Sequence, residues 1–214
     1  MISKTLAVAA VALLGATCAG AATLSEDFSS GTLNGFTVIE LGDGTIVNGG
    51  PGGAADPYLS IEDVGSAFMA VSFAPAWLGD LSAYDNGTFS IDFIQTDQST
   101  GGDYIDSFGE LVITGDGRTV GADLVSVDPS STWQSASATI GASVFGVTQS
   151  VWEGILADVT EIRFRAESWS NPSETVGLDN IKLVGTMTPV PLPAGSILLL
   201  TGLGALALRR RTSK

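Results

Sequence analysis

Thr88-Phe89-Ser90-Ile91-Asp92-Phe93-Ile94 decides the fold. In an extended chain Phe89, Ile91 and Phe93 fall on one side and Ser90 and Asp92 on the other, the period of a strand with one buried and one wet face. Residues 161–165 repeat the pattern, with Ile162 and Phe164 opposite Glu161, Arg163 and Arg165. Working outward, similar runs stand between clusters of Gly, Asn, Asp, Pro and Ser at 36–41, 58–62, 68–73, 88–95, 110–114, 119–127, 133–140, 160–167 and 175–184. This spacing predicts an all-β fold, a jelly-roll β-sandwich of about nine strands. One short helix is expected over 148–157, where Val151 and Ile155 share a face with Trp152 and Leu156 beside them. Self-similarity at a period of about 20–50 residues, the mark of a propeller or solenoid, is absent.

The 214 residues include 27 Gly, one Cys and no His, with 9 basic against 23 acidic side chains. His-based general bases, Ser-His or Cys-His dyads, His/Cys zinc sites and disulfide frameworks are thereby excluded. Hydrophobic residues at 44% and charged ones at 15% separate the chain from disordered acidic tails. The charge is unevenly placed. All 23 acids lie between Glu26 and Asp179, and over residues 23–187 Arg118, Arg163, Arg165 and Lys182 are the only bases, a net of -19 for that span. Nucleic acid is an unsuitable partner for such a surface, because that affinity rests on Lys and Arg neutralising phosphates. Divalent cations and neutral glycans suit it better.

Both ends read as targeting segments. Lys4, an apolar run from Leu6 to Leu14 and small residues at Ala19-Gly20-Ala21-Ala22 predict a signal peptide over 1–22, cut by signal peptidase. A short buried helix is the competing reading, and Gly15 three positions before Cys18 disfavours a lipoprotein. At the other end, 188–214, a Pro-punctuated hinge precedes an apolar run over 195–208 and then Arg209, Arg210 and Arg211. That run is read as a transmembrane helix, though at about 1.5 Å per residue it falls short of a hydrocarbon core of about 30 Å. Basic residues at its end place the C-terminus in the cytoplasm. Val190-Pro191-Leu192-Pro193-Ala194, the helix and the Arg cluster together resemble the PEP-CTERM sorting signal in its VPLPA-CTERM form. The resemblance implies an exosortase substrate of a Gram-negative bacterium, anchored transiently in the inner membrane and then released to the cell surface or extracellular matrix. A plain membrane anchor is the alternative.

The span from 23 to 187 is the expected domain. Its segment APAWLGDLSAYDNGTFSIDF (74–93), followed by LVITG (111–115), Trp133, ILADVTEIRFRAE (155–167) and GLDNIKL (177–183), resembles laminin IV type A domains in content and order. That family's Cys-bearing flanking modules are absent. What the resemblance implies is a jelly roll of the galactose-binding type, used for extracellular recognition rather than catalysis. LSEDF (24–28) and GLDNIKL also resemble the paired terminal strands of carbohydrate-binding jelly rolls, which implies a structural Ca²⁺ near Glu26 and Asp179, with Asp27 and Asp43 as further ligands. Ca²⁺ takes six to eight oxygens, which carboxylates, Asn and backbone carbonyls can supply. Equally, Asp27, Asp43 and Asp179 can cap turns through their own backbone.

Four Trp remain. Trp133 at a strand start and Trp152 on the helical face are read as core, whereas Trp77 and Trp169 stand in connections among polar residues, where aromatic rings stack sugars. The competing reading of Trp169 is a lid over the sandwich end. A nucleophile elbow, P-loop and dinucleotide fingerprint are all missing, and acids alone do not define a glycosidase pair. The expectation is a non-catalytic surface protein associated with exopolysaccharide. A biofilm adhesin meeting protein partners is the second reading and a polysaccharide hydrolase the third.

Overall fold

Inward-facing residues determine which strands meet. The computed structural model describes residues 21–186 apart from 41, 64–67, 99–102, 105–107 and 171–173. Within them the chain forms β1 (Thr23–Glu26), β2 (Thr37–Glu40), β3 (Gly42–Asn48), β4 (Pro57–Asp63), β5 (Met69–Ser72), β6 (Thr88–Gln98), β7 (Asp103–Tyr104), β8 (Glu110–Gly115), β9 (Arg118–Asp123) and β10 (Gln134–Thr139). Helix α1 (Gln149–Ala157), β11 (Val159–Arg165), β12 (Trp169–Ser170) and β13 (Glu174–Val184) complete it. The signal segment over 1–20 and the sorting tail from 187, with Val190 to Ala194, the 195–208 run and Arg209 to Arg211, lie outside the described residues. Among those described, no helix is long and apolar enough to cross a membrane.

Two antiparallel sheets face each other. One is six-stranded in the order β10-β6-β13-β4-β3 with β1 added to β13, and the other is five-stranded in the order β2-β5-β11-β8-β9. A two-stranded β7/β12 ribbon stands apart from both. This is the predicted jelly-roll sandwich with more strands than expected. Strand β3, GDGTIVN, reads as a turn because two Gly and an Asp open it, yet it pairs with β4 from Gly42↔Asp63 to Asn48↔Pro57. The two-residue strands of the ribbon are too short to carry any periodicity.

The alternation read from β6 and β11 is the core. Phe89, Ile91 and Phe93 are 2%, 1% and 0% exposed, and Phe164 on β11 is fully buried. An aromatic run threads the space between the sheets: Phe36 lies 5.7 Å from Phe28, 5.1 Å from Phe73 and 5.8 Å from Trp77, and Phe89 bridges Phe73 at 6.4 Å to Phe164 at 6.1 Å. Such offset and edge-to-face pairs add to the area each ring buries. Helix α1 closes one side by burying Trp152, Ile155 and Leu156. Trp152 stacks on Phe145 at 4.8 Å and donates its Nε1 to Asp85 Oδ1 at 2.8 Å, so it is core with a satisfied polar end.

Trp77 corrects an expectation. The turn Pro75–Trp77 is helical and tucks the indole inward, 4% exposed, edge-on to Phe73 at 5.2 Å. A ring in that position cannot stack a sugar. Trp77→Ala should therefore lower stability by about 3–5 kcal/mol. Urea unfolding measures this as a lower midpoint with an unchanged slope.

Candidate functional site

Strand β13 lies between β6 and β4, and its side chains alternate until a bulge. Val176 and Leu178 point into the core; register then shifts between Asp179↔Asp92 and Lys182↔Ser90, and Ile181 and Leu183 return inward. The extra residue is Asn180, at φ 48, in the left-handed region that Asn tolerates. Asp179, next to Leu178, lies on the outer face of the sheet and is nevertheless only 1% exposed. Its Oδ1 accepts from Asn180 N at 2.7 Å, while its Oδ2 is buried with no hydrogen bond. Burial pushes the Asp179 carboxyl up to about 7, and the charges of Asp56, Asp27 and Asp92 push the same way against the Asn180 amide.

Each of those three neighbours is held locally. Asp56 closes the Gly-rich loop before β4 by accepting from Gly52 N at 2.7 Å. Asp27 accepts from Ser29 N at 3.0 Å, and side-chain and backbone hydrogen bonds from Ser29 hold its carboxyl below the usual range. Asp92 accepts from Ser135 Oγ and, at 2.8 Å, from Asn180 Nδ2.

Part of the proposed calcium set is thus brought together and part is not. Asp27 lies close enough for its charge to act on Asp179, with β1 and β13 paired from Thr23↔Val184 to Glu26↔Ile181. Glu26 does not join them. Directly opposed residues share a face, and Ile181 is in the core, so Glu26 leaves β1 on the side away from Asp179. Its Oε1 instead accepts from Phe28 N at 2.7 Å and Asn34 Nδ2 at 2.9 Å. Asp43 is also remote. It stands opposite Glu62, which faces Thr175, four residues short of Asp179, or about 13 Å along the strand. The Asp43 side chain lies outside the described part. Asp56 and Asp92, rather than Glu26 and Asp43, are the other acids whose charge acts on Asp179, and among the described residues no three acidic side chains converge on one point tightly enough to hold a metal.

Beside this acidic group the outer face carries aromatic rings. Tyr58 on β4 lies across Gly177, where a Cβ would stand 2.6 Å from Tyr58 Cε2 and 2.7 Å from Ile94 Cγ2, so only glycine allows the ring to lie flat on the sheet. Trp133 meets Tyr58 edge-on at 5.1 Å and donates Nε1 to Gly49 O at 3.0 Å. Trp133 is half-buried, not core as expected, because its parity with Ser135 puts it on the outer face of β10's approach. In the chain it follows Ser130 and Ser131, which with Pro129, Gln95, Thr96 and Asp97 line an open groove of about 420 Å³. Trp169, the other expected platform, is half-buried in β12, paired opposite Tyr104.

No protein-family model and no curated protein matches the sequence. Solved structures do match its fold. An exo-β-agarase aligns over 78% of this chain with a TM-score of 0.53 and 17% identity, and this chain spans 25% of that one. The CBM22-2 xylan-binding domain of Paenibacillus barcinonensis Xyn10C aligns over 76% of this chain and 99% of its own, with a TM-score of 0.53 and 12% identity. The family 11 carbohydrate-binding module of Clostridium thermocellum, solved with a β-1,3-1,4-mixed-linked tetrasaccharide, aligns over 80% and 99%, with a TM-score of 0.50 and 22% identity. At these identities the shared property is the sandwich itself.

Asp179 sets a pH dependence. Its carboxyl binds a proton more tightly folded, at about 7, than in a free chain, at 3.8, so unfolding releases a proton between those values. In a chelating buffer the contribution of Asp179 should fall as pH rises from about 4 to about 7 and stay level above. Asp179→Asn should flatten that part of the melting-temperature profile, and an unaltered profile would remove Asp179 from the titration.

Proposed function

We propose that this protein is an exported, non-catalytic polysaccharide-binding protein that recognises glycan on the outer face of the six-stranded sheet. The observation that carries the reading is Trp133: a half-buried indole, fixed by its bond to Gly49 O and by Tyr58, two residues along the chain from Ser131, which lines a groove of about 420 Å³. A rigid aromatic plane next to hydroxyl and carboxylate acceptors is what sugar rings need, one face for stacking and an edge for hydrogen bonds. Ser130, Ser131, Thr96 and Asp97 supply the polar edge. The xylan-binding and mixed-linkage-glucan-bound modules of the same fold support this class of ligand.

Calcium belongs to the proposal as a structural ion. The orphaned Asp179 Oδ2, surrounded by the charges of Asp56, Asp27 and Asp92, is the donor chemistry a hard cation takes. Asp179 and Asp27 would hold it, and its charge would relieve the repulsion that now raises Asp179. Calorimetry of the full chain against neutral xylan and mixed-linkage β-glucan oligosaccharides, with Ca²⁺ and then chelator, tests both parts. Trp133→Ala should weaken binding about tenfold or more, and Ca²⁺ should raise the melting temperature of the wild type but not of Asp179→Asn. If neither oligosaccharide bound in either condition, the glycan reading would give way to the protein-binding adhesin.

The tail adds the destination. Val190 to Ala194, the 195–208 run and Arg209 to Arg211 are proposed as an exosortase signal, removed after export, in which signal peptidase cuts away the leader. Mass spectrometry of the mature protein should find the C-terminus lost near 190–194 in cells with an active exosortase and intact without one. A tail retained in both strains would make it a plain anchor.

A further inference from the structure

The loop that anchors Trp133 has little conformational preference of its own. Four of the five residues from Gly49 to Gly53 are glycine, and Gly49 and Gly53 stand at φ 114 and φ 120, where other residues are strained. Such a chain samples many shapes unless it is tied down, and its ties converge on one residue. Asp56 O accepts from Gly49 N at 2.9 Å and from Gly50 N at 2.8 Å, Asp56 N donates to Gly53 O at 3.0 Å, and Asp56 Oδ2 accepts from Gly52 N at 2.7 Å. The carboxyl lies in a hollow that only glycine leaves open. A Cβ on Gly50 would stand 2.5 Å from Asp56 Oδ2, and one on Gly52 2.8 Å from the same atom. Truncating the side chain empties that hollow and takes away the partner of Gly52 N, in a bond that the carboxylate charge strengthens.

The loop in turn holds the indole. Trp133 comes just before β10, at one edge of the six-stranded sheet, whereas Gly49 comes just after β3, at the other. Two contacts join them across the outer face: Trp133 Nε1 donates to Gly49 O at 3.0 Å, and the ring meets Tyr58 edge-on at 5.1 Å. An edge-on contact tolerates some rotation of the ring. A hydrogen bond weakens steeply as its angle closes, so Gly49 O is what sets the tilt.

We propose that Asp56 is a positioning residue for the aromatic platform: its carboxylate fixes the Gly-rich loop, and the loop holds Gly49 O where it sets the tilt of the Trp133 indole towards a sugar ring. This deepens the glycan reading of Trp133 and rests on it. The same carboxylate contributes charge at Asp179. Asp56→Asn separates the two roles, because its amide oxygen can accept from Gly52 N in the same place without the charge.

In the isotope-labelled full chain, the indole N–H resonance of Trp133 is the one missing from Trp133→Phe. Its exchange with water should quicken about fivefold in Asp56→Ala and return close to the wild-type rate in Asp56→Asn. The indole N–H of Trp152, bonded to Asp85, should keep its rate and so exclude a general loosening. Calorimetry against a mixed-linkage β-glucan oligosaccharide should show Asp56→Ala weakening binding about fivefold in the wild-type background and leaving it unchanged in Trp133→Ala, since residues acting through one contact do not add. An unchanged Trp133 exchange rate in Asp56→Ala would overturn the proposal, as would equal affinity losses in both backgrounds. Exchange as fast in Asp56→Asn as in Asp56→Ala would also overturn it, by making charge the operative property. If Asp56→Ala fails to fold, Gly50→Ala displaces the carboxyl from the other side, and an exchange rate left unchanged there overturns the proposal instead. A wild type that binds no oligosaccharide would remove the glycan reading, while the exchange rates still decide whether Asp56 holds the indole.

Discussion

Strand β13 is the constraint on which the rest of the sandwich depends. It hydrogen-bonds to β6 along one side and to β4 and then β1 along the other, so three neighbours take their register from it. Strict alternation after Leu178 would send Asn180 and Lys182 inward and leave Ile181 and Leu183 in water, and burying an unpaired ammonium costs far more than a local distortion. The bulge at Asn180 restores the phase. Its positive φ is the local cost, and the result is an outer face on which Gly177, Asp179 and Asp92 meet in fixed register.

What was legible in the sequence follows from how local each signal is. Phe89, Ile91 and Phe93 announce their face by spacing alone, and Val176, Leu178, Ile181 and Leu183 show both a strand and its interruption. The helix at 149–157 needed nothing beyond its own apolar positions. By contrast, the environment of Asp179 is made by register between strands and by the loop ending at Asp56, none of which leaves a pattern within a window of a few residues. Glu26 looked a better ligand than Asp27 in sequence, and one residue of parity sends it to the other face of β1. Trp77 and Trp133 lie opposite to expectation for a similar reason: a helical turn tucks the first inward, and the register of β10 on β6, which begins at Gln134, places the second outward.

Acid burial is what the unequal charge imposes on this fold. With four bases among 23 acids in the domain, ion pairing cannot neutralise more than a few carboxylates, and the four basic side chains are exposed or bridged to Glu161 and Glu110. Asp179 and Glu174 nevertheless sit inside, both raised to about 7, one at the bulge and one at the beginning of the same strand. A buried carboxyl without a cationic partner lowers its cost by taking a proton or a metal ion. The two positions differ in which is available. Asp179 keeps an oxygen without a hydrogen bond beside three further carboxylates, whereas both oxygens of Glu174 already accept hydrogen bonds.

Under the proposed reading, the same charge bears on which glycans the outer face would hold. Trp133 and the groove beside it are aromatic and polar, and stacking gains its energy from area rather than from charge. Around them the domain carries a net of -19, so a polyanionic chain running across the sheet would meet repulsion at every step, screened only beyond about 8 Å at physiological salt. A neutral chain meets none, and its hydroxyls can donate to Asp97 and to the Ser130 and Ser131 oxygens. A divalent cation held at Asp179 and Asp27, as proposed, would reduce that repulsion. On that reading, ionic conditions rather than any change around Trp133 would widen the choice from neutral to acidic polysaccharide.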